Sequence, residues 1–346
     1  MSRFTNVLVM IDNPSRGSAA LPRALDVVRR HGGTVTLAHA FDGYAHDAMG
    51  TSTELDAAEL EQHEYEARLA MLEQTAAEPR AAGLNVRTRV MIGSPFLEIT
   101  REVLRQGHDL VMKETSPAGT GRSRFFTSQE MHLLRKCPAP VWLTKATQSP
   151  RLKVIVAAID PAPFDDERQE LNRRVVALAM EVAAGEAATV HVAHAWRLRN
   201  EESFHLLRRA LTDEHVQRLV ADERQRRLAL IEEITRPHRG GTVAIEVDLI
   251  KGDPSRVLPA LVRRVRADLL VMGTVARSGI AGLIIGNTAE NVLDDLTCSV
   301  LAVKPRGFVS PVRLPDDDRR ERHDETPMRR RAAEPSSLAT GSRTSR

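Results

Sequence analysis

The sequence predicts an α/β protein made of two tandem copies of one unit, each a parallel sheet with helices on both faces. Three observations carry that expectation. Short apolar runs rich in Val, Ile and Leu alternate with longer helical stretches, the order expected of βαβ units. A series of anchors in the first half returns in the same order in the second. The stretch Asp268 to Pro305 reads as strand, glycine-bearing loop, helix and strand, with four glycines between Gly273 and Gly286.

Taken in order, Asn6 to Ile11 is an apolar strand that stops at Asp12. The polar turn Asn13 to Ser18 leads into a helix carrying Ala19, Leu21, Ala24, Leu25, Val27 and Val28, and Gly32-Gly33 ends it. Thr34 to Ala40 is the next strand, followed by a long acidic amphipathic helix from Glu54 to Ala82. Then come strand Asn85 to Met91, helix Pro95 to Arg105, strand Asp109 to Met112, helix Ser128 to Arg135 and strand Val141 to Thr144. Residues 146–151 are a short polar linker, and the order restarts. Lys153 to Ile159 stops at Asp160 as the first strand stopped at Asp12. Thr189 to Ala195 matches Thr34 to Ala40 down to a shared Ala-His-Ala. Val243 to Ile250 before Gly252 matches Val86 to Ile92 before Gly93. Asp268 to Met272 matches Asp109 to Met112, and Cys298 matches Cys137. Right-handed crossovers place the helices, and ligands belong at the carboxyl ends of the strands, near the switch in strand order. Asp12, Asp160, Gly252 and Gly273 all stand at such ends.

Composition bounds the function. A chain of 346 residues with 42% hydrophobic content has room for two cores. No run of about eighteen apolar residues is present, so no membrane span is expected. Met1 to Asn13 lacks a signal-peptide h-region, and the two cysteines have no metal-ligand spacing, so a reducing cytoplasm and no metal site are expected. The pI near 9.1 resides in the C-terminal stretch. Residues 306–346 hold 10 arginines and 7 acids, which leaves 39 basic and 39 acidic residues in the body. A nucleic-acid role therefore rests on the tail alone, where Arg329-Arg330-Arg331 lies, and a solvated, disordered tail is the preferred reading.

A loop that leaves a strand and ends at a helix N-terminus offers unpaired N–H groups and the positive end of a helix dipole to an anion. The spacing fits neither the dinucleotide fingerprint nor a P-loop, because no lysine follows the last glycine. It runs Gly273, Ala276, nine residues, then Gly286-Asn287-Thr288. This resembles the nucleotide loop of the universal stress protein family, Gly-x2-Gly-x9-Gly-Ser/Thr. Ala276 stands at the second glycine, and Asn287 at the hydroxyl position with Thr288 one step later. The wording Gly-Asn-Thr-Ala-Glu is similar to the second half of tandem members of that family.

The resemblance implies two Rossmann-like domains of the adenine nucleotide alpha hydrolase-like kind, at residues 1–148 and 149–305. Each would have five parallel strands in the order 3-2-1-4-5. It implies an intrachain pseudo-dimer through the fifth strands, with further homo-oligomers open. It also implies an adenine nucleotide, ATP with Mg, as the ligand of the second half. Asp160 would then meet ribose hydroxyls or the adenine amine, and the backbone at Ala195 would meet adenine. Met272, Gly273, Ala276, Gly286, Asn287 and Thr288 would enclose the phosphates, with Arg277 as a further contact. A Cβ at Ala276 costs roughly 1 kcal/mol if the position needs positive φ. The first half departs further from the pattern. Phe125, Phe126 and Thr127 stand where Gly286, Asn287 and Thr288 do, and Lys113-Glu114 replaces Met-Gly, so no nucleotide site is expected there. The phenylalanines are read as core packing between the halves, with an apolar pocket as the alternative. His39 and His194, at equivalent strand ends, are read as hydrogen-bonded structural histidines, and the cysteines as small hydrophobes. No catalytic residue is expected. The function implied is ligand sensing and partner interaction in a stress response. A slow ATPase and a binder of a non-nucleotide ligand between the halves stand beside it.

Overall fold

The computed structural model describes residues 4–43, 57–115, 126–146, 151–161, 165–198, 213–274 and 287–315. The chain divides after Pro311, and every element named below belongs to the first unit. In the first half these are β1 (Asn6–Met10), α1 (Ala20–His31), β2 (Thr34–Phe41), α2 (Ala57–Ala81), β3 (Asn85–Ile92), α3 (Pro95–Gln106), β4 (Leu110–Thr115), α4 (Ser128–Lys136) and β5 (Val141–Lys145). The second half repeats them as β6 (Val154–Ala158), α5 (Asp166–Glu186), β7 (Thr189–Trp196), α6 (Asp213–Thr235), β8 (Ile245–Lys251), α7 (Pro254–Val265), β9 (Leu269–Gly273), α8 (Asn287–Asp294) and β10 (Ser299–Val303).

The ten strands form one sheet in the order β3-β2-β1-β4-β5-β10-β9-β6-β7-β8. Each half therefore reads 3-2-1-4-5, and the halves meet back to back at their fifth strands. Pairing is parallel throughout except at this seam, where β5 and β10 run antiparallel with Trp142 opposite Leu301. Helices cover both faces. Val27, Leu72, Val176 and Ile231 anchor α1, α2, α5 and α6 in one core layer, and Ile99, Leu133, Leu261 and Val292 anchor α3, α4, α7 and α8 in the other. The second layer runs through both halves, and Phe126 is buried within it, so its role is packing. Phe125 lies outside the described residues. Both cysteines are buried there too, and burial pushes each thiol up to about 12.

Repeated sequence anchors correspond to repeated contacts. Asp109 accepts the backbone N–H groups of Thr5 and Asn6, and Asp268 accepts those of Lys153 and Val154. Each aspartate thus ties the base of the fourth strand to the start of the first. Gly93 and Gly252 end the third strands at φ of +134° and +150°, a backbone region that side chains rarely occupy. The seam is closed by exchange. Lys304, after β10, donates to the Leu134 carbonyl at the end of α4 (2.5 Å), while Lys145 of β5 donates to the Leu296 carbonyl just beyond α8 (3.3 Å). Arg135 of α4 also pairs with Glu290 of α8 (2.5 Å). The compact unit extends past residue 305, where the tail was expected to begin. The Ser310 hydroxyl donates to the Lys136 carbonyl, and the Phe308 ring lies under the Lys304 ammonium. Residues 316–346 lie outside the described residues.

Candidate functional site

In a doubly wound sheet the ligand crevice opens at the carboxyl ends of the two strands where the order reverses. Here these are β6 and β9 in the second half and β1 and β4 in the first. Asp160 follows β6, Gly273 ends β9 and Ala195 is the penultimate residue of β7, so these three expected residues share one sheet edge. Met272 pairs with Ala158 and is buried in the core, leaving its backbone toward that edge. Thr288 is exposed in the first turn of α8. Ala276, Arg277 and Gly286 lie outside the described residues, and of Asn287 only the backbone is described.

The crevice floor in the second half is set by α5. From the terminal aspartate of the first strand to the repeated histidine is seven residues longer here than in the first half, Asp160–His194 against Asp12–His39. Seven residues are about two helical turns, so the addition lengthens α5 toward the crevice without rotating its apolar face. Asp165 caps the extended end by accepting the Arg168 N–H (2.9 Å). The first turns then lie over the strand ends. Asn172 Oδ1 accepts the Asp160 N–H (3.0 Å), and Arg168 stands 3.6 Å from the Asp160 carboxylate. Leu171 rests on Gly273, where an added Cβ would come within 2.7 Å of its Cδ2. Gly273 is thus required by close helix packing in the chain itself. Beside it Thr274 is fully buried, and its hydroxyl finds no partner among the described residues.

In the first half charge fills the crevice. Lys113, where the second half has Met272, is 1% exposed. Its ammonium donates to Asp12 (2.5 Å), to Glu130 of α4 (2.9 Å) and to the Glu114 carbonyl (2.9 Å). Glu114, where the second half has Gly273, accepts the Ala19 N–H at the start of α1. Thr127 and Glu130 form a capping box on α4, so the same glutamate serves the helix end and the lysine. The carboxylate that would greet a ligand is already paired, and two larger side chains stand where the second half has an uncharged Met-Gly.

Both halves share a constellation that sequence reasoning found only in part. The Nδ1–H of His39 donates to the Ile11 carbonyl (2.7 Å), and that of His194 to the Ile159 carbonyl (3.0 Å). Each Nε2 accepts from an arginine of the long helix behind, Arg68 (2.9 Å) or Arg227 (2.7 Å). Each arginine is held by a glutamate one turn earlier, Glu64 or Glu223, both at 2.8 Å. It also lies over an aromatic ring, Phe41 or Trp196. The histidines were expected to be structural. The arginines were missed, although Glu-x3-Arg-Leu-Ala recurs at 64–70 and 223–229. The clamp ties α2 and α6 to the residue preceding Asp12 or Asp160. Among the described residues no group of three or more His, Cys, Asp or Glu could hold a metal, and no helix is long and apolar enough to cross a membrane.

The model of the Universal stress protein family matches residues 3–145 and 152–304. Universal stress protein E of Escherichia coli strain K12 is 28% identical over 328 residues, which cover 92% of this chain and 99% of that protein. The homolog from Haemophilus influenzae is 24% identical, over 88% of this chain and 98% of its own. Among solved structures, a functionally unknown protein from Pseudomonas aeruginosa PAO1 is 25% identical and aligns over 89% of this chain and 95% of its own with a TM-score of 0.67. A universal stress protein from Archaeoglobus fulgidus aligns over 87% of this chain and 98% of its own, with a TM-score of 0.58 at 15% identity, and shares the fold.

Proposed function

Because the chain belongs to the universal stress protein family and carries two copies of its domain in tandem, we propose that it is a cytoplasmic ligand-sensing and interaction module of the stress response, acting without turnover. The ligand site is in the second domain, residues 149–305, and the first domain, 1–148, is its structural partner. The observation that supports this is the contrast between the two crevices. Lys113 neutralises Asp12 in the first, whereas in the second Met272 and Gly273 stand at those places and Asp160 has the Arg168 guanidinium at 3.6 Å as an ion-pair partner.

In this reading Asp160 accepts hydrogen bonds from the ribose hydroxyls or adenine amine of ATP, and the backbone at Ala195 meets the base. The segment through Met272, Gly273, Ala276, Gly286, Asn287 and Thr288 encloses the Mg-bound phosphates at the start of α8. Leu171 over Gly273 and Asn172 on the Asp160 backbone are the groups a ligand must move. Binding is therefore communicated to α5, the helix that faces the first half.

Calorimetric titration of the full chain with Mg-ATP tests the reading, with Gly286→Val and Asp160→Ala in parallel. The expected result is one site per chain, lost in the first variant and weakened in the second. Absence of heat at millimolar ATP, or identical titrations for all three proteins, would refute a nucleotide site in this crevice.

A further inference from the structure

A groove of about 840 Å³ runs between α1 and α5, with Trp142 of β5 in its lining. Its walls carry five guanidinium groups: Arg23 and Arg30 from α1, Arg173 and Arg174 from α5, and Arg306 beyond β10. Two carboxylates serve four of them. Glu186 pairs with Arg23 (3.5 Å) and Arg30 (3.2 Å), and Glu170 with Arg173 (3.8 Å) and Arg306 (3.3 Å). The groove's other two acids, Glu181 and Asp26, pair with His31 (3.7 Å), itself in the lining, and with Arg29 (2.5 Å). Arg174 donates to the Lys304 carbonyl (2.8 Å) and has no carboxylate within ion-pair distance among the described residues. Burial, and then the neighbouring Arg306, push its pKa down against the opposing pull of Glu170. A second donor is also unspent. Trp142 is 1% exposed, and its Nε1–H finds no acceptor among the described residues.

We propose that this groove is a second binding site, for a small phosphate-bearing anion, with Arg174 and Arg306 as its charged ligands and Trp142 in its lining. Guanidinium groups present paired N–H bonds in the geometry of phosphate oxygens, and two such groups suit a dianion. The site spans the seam, because Trp142 and Arg23 come from the first half and Arg174 and Arg306 from the second. It does not depend on the nucleotide reading of the crevice.

Trp142 and Trp196 are the only tryptophans in the chain, so Trp196→Phe leaves Trp142 as the sole reporter. The full-length variant is titrated with inorganic phosphate and with pyrophosphate while tryptophan emission is followed. The expected result is a saturable change in emission whose midpoint rises about tenfold or more in Arg174→Gln. It should rise likewise in Arg306→Gln, whose side chain is 79% exposed and carries little folding risk. Gly286→Val should leave the titration unchanged. An ATP arm in the Gly286→Val background separates the sources. A response there means phosphate esters enter the groove, and silence restricts it to the free ion. No saturable change at millimolar pyrophosphate, or the same midpoint with both arginines replaced, overturns the proposal. Loss of the response in Gly286→Val overturns it as well and assigns the anion to the crevice.

Discussion

Lys113 and Met272 occupy equivalent places, yet one is an ammonium bound to two carboxylates and the other a core side chain. That single difference sets what each crevice offers. The clamping histidines are common to both halves, and their chemistry has a sign. Nε2 of His39 can accept from Arg68 only while the ring is neutral. Burial lowers the pKa of His39 from its ordinary 6.5, and the adjacent Arg68 adds to the effect, against the Ile11 carbonyl that favours the charged ring. The folded state therefore binds fewer protons than the unfolded one as pH falls below 6.5. The stability this gives is fully present above that value and is lost as pH falls through the folded-state pKa. Urea unfolding at pH 7.5 and pH 5.5 should show a lower midpoint at the acid pH, with part of the difference abolished by His39→Gln. An identical pH dependence in wild type and variant would remove His39 from the clamp's energetics. His108, His132 and His238, also lowered by burial, contribute to such a trend.

At the scale of the element, α5 decides how the second crevice is built, because its two added turns bring Leu171 onto Gly273. A Cβ at 273 must push a leucine methyl aside, and overpacking of this kind costs typically 1–3 kcal/mol. The methyl is the free end of a side chain, so the cost should fall near the low end, about 1 kcal/mol. Gly273→Ala is expected to lower the unfolding midpoint, and to lower it less when introduced into a Leu171→Ala background. A double-mutant cycle with no coupling would mean the two residues do not touch. This contact also marks the limit of what the sequence discloses. Strands were legible because apolar runs stop at Asp12, Asp160 and Gly273, and because the repeat gives each run a twin. Helix boundaries in the first half were legible from Gly32, Pro95 and the turn residues. The asymmetry between the crevices was only half legible. Lys113-Glu114 could be seen to replace Met-Gly, but the partner Glu130 lies 17 residues on, and its role follows from the packing of α4 on the sheet. The Leu171–Gly273 contact joins residues 102 positions apart with no local pattern to announce it, and the repeated Glu-x3-Arg-Leu-Ala marks Arg68 without naming His39, 29 positions away, as its partner.

The whole molecule is held as one sheet by a seam in which each half completes the other. Leu143 faces Val300 and Trp142 faces Leu301 across β5 and β10, and Lys304 and Lys145 cross over to opposite helix ends. The fifth strands are thereby consumed inside the chain, and the open edges of the sheet are β3 and β8. Any further copy that joined through strand pairing would have to use those. The same reasoning predicts the behaviour of the first half alone. Residues 1–148 would expose β5, whose Val141, Trp142 and Leu143 are at most 1% exposed in the full chain, together with a row of unpaired backbone groups. Such an edge templates pairing with another chain. The second half presents β10 antiparallel to β5, so a twofold β5–β5 pair can occupy its place. The excised fragment should therefore sediment as a dimer. A folded, monomeric 1–148 fragment at micromolar concentration would show that the seam is not what completes the half, and the interlocking role assigned to Lys145 and Lys304 would fall with it.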